Sequence, residues 1–166
     1  TTDEAAHAAW FTADSPATGL GLSIPANMVA LDLDVPAALP VLEASLGPLP
    51  ATVESRTPRG GEHRLFEITG APARNTTSAL CAGIDTRGPG GYIVVAPSPG
   101  YCWLPGQSPD EHPVEMLPDA WLAVLPRVDD TPAAPVDDGP DATPPPPDAE
   151  TRALDFLRRA VERANL

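Results

Sequence analysis

The residues able to do chemistry in this chain fall in three short segments. Met28-Val29-Ala30-Leu31-Asp32-Leu33-Asp34 closes an otherwise apolar run with two carboxylates. Thr57-Pro58-Arg59-Gly60-Gly61-Glu62-His63 delivers an imidazole after a glycine-rich turn. Gly83-Ile84-Asp85-Thr86-Arg87-Gly88 sets a third aspartate in an apolar segment, with arginine close behind. On a β-strand, Asp32 and Asp34 share one face while Leu31 and Leu33 take the other. Two carboxylates so placed repel, and burying both without a partner is costly. A hard divalent cation such as Mg²⁺ or Mn²⁺ relieves the conflict through oxygen ligation. Taken singly, each segment has an ordinary reading as an acidic turn, a turn histidine or a strand-closing aspartate. Their order and strand context make the set specific.

The elements that must position these groups follow from local patterns. Residues 3–13 suggest a short helix, with Thr1 or Thr2 as cap. Gly19 to Ile24 alternates as a strand approached closely by another backbone or a ligand, and Pro25-Ala26-Asn27 turns into the Asp32 strand. Pro36 opens a helix through Leu46, stopped by Gly47-Pro48. Residues 52–57 and 63–69 are expected as strands around Pro58-Arg59-Gly60-Gly61, a turn that needs glycine's freedom at positive φ. After a polar loop at 70–78, Leu80–Thr86 and Gly91–Ala96 are expected to form a second strand pair around Arg87–Gly90. Tyr101–Leu104 suggests one more strand, and residues 118–125 a helix anchored by Trp121 and Leu125.

Residues 1–126 therefore read as a catalytic-size core, within a chain of 166 residues long enough for one real core. From Asp129 to Asp148 the chain holds seven prolines and six aspartates with no lysine, arginine or aromatic residue, so 127–147 is expected to be a polyproline-like or disordered linker. Residues 148–166 then suggest an amphipathic helix, with Leu154, Leu157 and Val161 on one face, as the opening of a following helical domain.

A net charge of −13 and the absence of lysine argue against a general nucleic-acid coat, which needs a basic face. The arginines are nonetheless concentrated. Residues 1–53 hold six acids and no Lys or Arg, whereas 54–91 hold Arg56, Arg59, Arg64, Arg74 and Arg87 against Glu54, Glu62, Glu67 and Asp85. Phosphate is expected to bind there. Cys81 and Cys102 are too few for a disulfide framework or zinc site; both are expected to be buried thiols, with a bridge between them left open. No apolar run reaches the roughly 18 residues of a membrane span, and a soluble cytoplasmic protein is the default expectation.

The three segments, together with Leu49-Pro50-Ala51-Thr52 and Gly91-Tyr92-Ile93-Val94-Val95-Ala96-Pro97-Ser98, resemble the bifunctional DNA primase/polymerase domain of the archaeo-eukaryotic primase superfamily over about residues 10–125. The resemblance implies an α+β catalytic core in which an RRM-like mixed or antiparallel sheet, flanked by helices, carries the acidic residues. It implies that Asp32, Asp34 and Asp85 bind two Mg²⁺ or Mn²⁺ ions and that His63 contacts the triphosphate of the incoming nucleotide. Charge and position add Arg59 and Arg87 as phosphate or template contacts, and Gly60, Gly61 and Ser98 complete the expected nucleotide-binding set. The expected partners are a single-stranded DNA template, NTPs or dNTPs, and a helicase domain or protein beyond the linker.

The physical case agrees. Joining nucleotides is mainly a matter of positioning and of stabilising charge on the transferring phosphoryl group. Two cations can activate the hydroxyl and neutralise the leaving oxygen. The acidic balance predicts weak, strongly salt-dependent template binding. Relatives carry a further segment before the part matching Trp10, so the chain is expected to be a fragment or short form of a replication protein. Two alternatives stand beside a template-dependent nucleotidyltransferase: a nucleotide- or DNA-binding module without catalysis, and a metal-dependent phosphohydrolase or nuclease using the same aspartates.

Overall fold

A computed structural model describes residues 19–128. The helix expected over 3–13, nearly all of the linker and the terminal helix lie outside the described residues. Within them the fold is α+β: nine strands, two α-helices and a 3₁₀ turn.

The strands are β1 (Leu20–Ser23), β2 (Met28–Leu33), β3 (Glu54–Arg56), β4 (Glu62–Glu67), β5 (Thr76–Cys81), β6 (Ile84–Arg87), β7 (Tyr92–Val95), β8 (Cys102–Trp103) and β9 (Glu115–Met116). The main sheet runs β5-β6-β2-β4-β3-β8, antiparallel throughout, with β9 added parallel to β4. β1 and β7 form a separate antiparallel ribbon.

Period-two patterning sorts the side chains of β2 onto two cores. Val29, Leu31 and Leu33 join Leu39, Leu42, Phe66, Leu80, Ile84, Leu117 and Trp121 in the larger cluster, on the helical side. Ala30 joins Val53 and Leu65 on the other side, where Ile24, Ile93 and Val95 bring the ribbon onto the sheet. β2 is thus covered on both faces near its start, and the apolar cover gives way to charge at Asp32.

The segment after β2 is a 3₁₀ turn at Pro36–Ala38 running into α1 (Leu39–Leu46), rather than a continuous α-helix from Pro36. Pro40 in the first turn of α1 gives up an amide with no partner to lose. The helix ends at Gly47, whose φ of 86° suits glycine. The Trp121 indole of α2 (Asp119–Val124) donates to the Gly47 carbonyl at 3.0 Å, tying the two helix ends together. The two helices expected within the described residues are present, and Trp121 and Leu125 are buried.

Further expectations are corrected, among them the polar loop over 70–78, which gives way to β5 at Thr76. Leu80–Thr86 is not one strand: it is broken at Ala82-Gly83, where β5 folds back on β6. Gly83 has φ 80°, and a Cβ there would meet Val35 Cγ2 at 2.7 Å, so both the turn and its packing require glycine. In consequence β6 pairs with β2 and β5, while β7 crosses to β1. Cys81 is a buried free thiol, but Cys102 is free and exposed, because the short edge strand β8 turns it outward.

Candidate active site

Asp32 stands directly opposite Asp85 on β6 and directly opposite His63 on β4. Cross-strand partners project to the same face of a sheet, with Cα atoms about 4.5–5.5 Å apart. The three side chains therefore form a transverse row, which Ser55 on β3 and Trp103 on β8 continue. Arg87 belongs to the same face one step along, opposite Ala30.

The contacts in the row are specific. Arg87 Nη2 donates to Asp85 Oδ2 at 2.9 Å and lies 3.7 Å from Asp32 Oδ2. His63 Nε2 is 3.2 Å from Asp32 Oδ1. The Ser78 amide donates to Asp85 Oδ1 at 2.7 Å. Ser78 has φ 51°, uncommon for a residue with a side chain, and sits where the β5–β6 register slips. The bulge turns an amide that would otherwise belong to the ladder toward the carboxylate.

Burial raises the Asp85 carboxyl above its ordinary value of 3.8, and Asp32 and Asp34 add to the rise, against the pull of the Ser78 amide and Arg87. Asp34 lies just past β2 and is exposed. Its carboxyl is also raised, first by partial loss of hydration and then by Asp32, while Arg87, His63 and Arg59 oppose. An excess of negative charge is thus held together against its own repulsion.

Among the described residues, no three His, Cys, Asp or Glu side chains stand ready as a group to hold a metal ion. Arg87, His63 and the Ser78 amide contact the oxygens of Asp32 and Asp85. The donor chemistry still suits a hard divalent ion. Both carboxylates turn an oxygen to one shared cation, here the guanidinium, and Asp34 adds a third oxygen donor nearby.

The remaining expected site residues are placed as follows. Arg59 and Gly60 are exposed on the β3–β4 turn, Gly60 with φ 85°. Arg59 is close enough to Asp34 to lower its carboxyl. Gly61 is buried, and a Cβ there would lie 2.7 Å from the Leu33 carbonyl oxygen; its small size lets the turn pass against the end of β2. Ser98 is buried away from the row's hydrogen bonds, its Oγ accepting from the Leu20 amide at 2.7 Å, where it fastens the start of β1.

Sequence reasoning missed three neighbours. Ser78 gives no signal, because its role belongs to its amide. Ser55 was legible in principle, being two residues from the buried Val53 on a strand bound to face His63. Tyr101 places its ring 6.0 Å from the His63 imidazole. Its loop is pressed onto the β3–β4 turn, for a Cβ on Gly100 would meet Pro58 Cγ at 2.8 Å.

In comparisons with known proteins, residues 1–127 match the family model described as "Bifunctional DNA primase/polymerase, N-terminal". No curated protein and no solved structure matches the chain.

Proposed function

The chain belongs to the N-terminal bifunctional DNA primase/polymerase family, and from that footing we propose that the Asp85–Asp32–His63 row is the catalytic centre of a template-dependent nucleotidyltransferase. It synthesises and extends primers from NTPs or dNTPs on single-stranded DNA, within a primase-like core whose main sheet is the RRM-like element. The observation that carries this reading is the double register of Asp32, opposite both Asp85 and His63.

Asp32, Asp34 and Asp85 would hold the two Mg²⁺ or Mn²⁺ ions, which on binding supply activation of the 3′-hydroxyl and neutralisation of the leaving pyrophosphate. His63 Nε2, now against Asp32, supplies a donor to the triphosphate. Arg87, beside Asp32 and Asp85, and Arg59, beside Asp34, add guanidinium donors, and phosphate oxygens suit their fork geometry. Gly60 and Gly61 keep the turn low beside them. The proposed replication partner is a helicase domain or protein C-terminal to the Pro/Asp-rich segment 127–147.

A second reading, nucleotide or DNA binding without catalysis, draws on Arg87, which already serves as counter-cation to Asp32 and Asp85. Primer synthesis separates the two. The Asp32→Ala/Asp34→Ala variant should stay folded and lose all primer synthesis, with pyrophosphate and longer strands as the parent's products. Equal synthesis by the variant removes the proposal, and release of free phosphate or shortened strands points to hydrolysis instead.

A further inference from the structure

His63 has two ring nitrogens in different circumstances. Nε2 faces the Asp32 carboxylate at 3.2 Å. Nδ1 is shut off from solvent and has no hydrogen-bond partner among the described residues. In the next position of the row, directly opposite His63, Ser55 is 0% exposed and its Oγ has none either. Two neighbouring polar atoms on one face, each buried and each unpartnered, are complementary needs.

The chemistry of the ring says which way the pairing runs. An ionised carboxylate only accepts, so Nε2 carries the proton that faces Asp32. In the neutral imidazole Nδ1 is then a bare acceptor and requires a donor. The Ser55 hydroxyl can donate in any rotamer its buried site allows. Val53 and Leu65 bring no donor to this face; the Trp103 indole N–H and the Tyr101 hydroxyl are the other side-chain donors near the row, but neither is a buried atom left without a partner, as the Ser55 hydroxyl is.

We propose that Ser55 is a positioning residue for His63: its hydroxyl donates to Nδ1, across at most one intervening water, and so fixes the proton on Nε2. The inference rests on the reading of the row as a nucleotide site and gives that reading a specific device. With the tautomer set from behind, the same N–H that faces Asp32 is ready to face an anionic phosphate. A ring protonated on Nδ1 instead would turn a lone pair toward that anion. Ser55 touches neither substrate nor ion. It acts through the imidazole, as the outer partners of metal-bound histidines do.

The test reads the imidazole nitrogen shifts of His63 by NMR in the full chain, without nucleotide, in mildly alkaline buffer, and separately the affinity for ATP and dATP. The parent should show Nδ1 unprotonated and Nε2 protonated. Ser55→Ala, which removes one hydroxyl without adding volume, should bring the two shifts toward each other and weaken nucleotide binding roughly five- to tenfold, the worth of one hydrogen bond. A parent ring protonated on Nδ1, or shifts and affinities unchanged in Ser55→Ala, overturns the role of Ser55. A parent that binds no nucleotide overturns the reading of the row itself, an outcome the tautomer measurement does not share.

Discussion

Asp32 on β2 and Asp85 on β6 occupy a single cross-strand pair, with the Arg87 guanidinium laid across both carboxylates. Like charges directly opposed destabilise a sheet, so the pair persists because a cation is shared between them. Replacing either aspartate by asparagine should keep the fold, which β2 secures through its apolar face, and lower primer synthesis by roughly 10²- to 10³-fold. Primer extension with Mn²⁺, alongside circular dichroism, checks this.

Arg87 is the counter-cation when no ion is bound. Arg87→Ala should cost about 1.5–3 kcal/mol in EDTA, the usual worth of a charged hydrogen bond left unmade. Added Mn²⁺ should then stabilise the variant more than it does the parent, because the carboxylates have been freed. Urea unfolding with and without Mn²⁺ measures the difference; equal gains in both chains would count against the pairing as drawn.

Gly61 is constrained by the backbone of β2. In Gly61→Ala the new methyl meets the Leu33 carbonyl oxygen, so the turn must lift and take His63 with it. A loss of about 1–3 kcal/mol is expected from such overpacking, together with weaker nucleotide binding. Gly60→Ala strains the same turn through φ alone, since a Cβ at Gly60 meets nothing within 4 Å. Denaturation of the two variants side by side distinguishes a steric effect from a conformational one.

Glu54 offers a pH test away from the row. It is buried, and burial raises its carboxyl above the ordinary 4.5 despite the Arg64 guanidinium 3.1 Å away. A carboxyl raised in the folded state favours folding when protonated. Its contribution is therefore fully present below pH 4.5 and lost as pH rises through the folded value. The stability of Glu54→Gln relative to the parent should accordingly climb through that window and level off above it. Thermal unfolding from acid to neutral pH reads the slope.

Much of this is legible in the sequence. The alternation in Met28–Asp34 placed Asp32 and Asp34 on one face, and Gly60-Gly61 marked the turn into the His63 strand. The β5–β6 hairpin was hidden because Leu80, Cys81, Ala82 and Ile84 are all apolar, so the run looked continuous across a turn that only Gly83 betrays. Without that turn, residue types alone pair β6 with β7 and give no sign of its pairing with β2. The Ser78 amide could not be read from residue types at all, for any residue carries one. Cys102 looked buried because a strand edge is a tertiary property, set by the lack of a neighbour beyond β8 among the described residues.

On the proposed function, Asp32, Asp34, Asp85 and His63 act on one ion-bound nucleotide. Paramagnetic broadening of the backbone amide signals by Mn²⁺ in the presence of a nucleotide tests it most directly. Broadening should centre on residues 32–34, 63 and 85, and vanish in Asp32→Ala/Asp85→Ala. Broadening centred on Glu54 and Glu62, or undiminished in that variant, would contradict it.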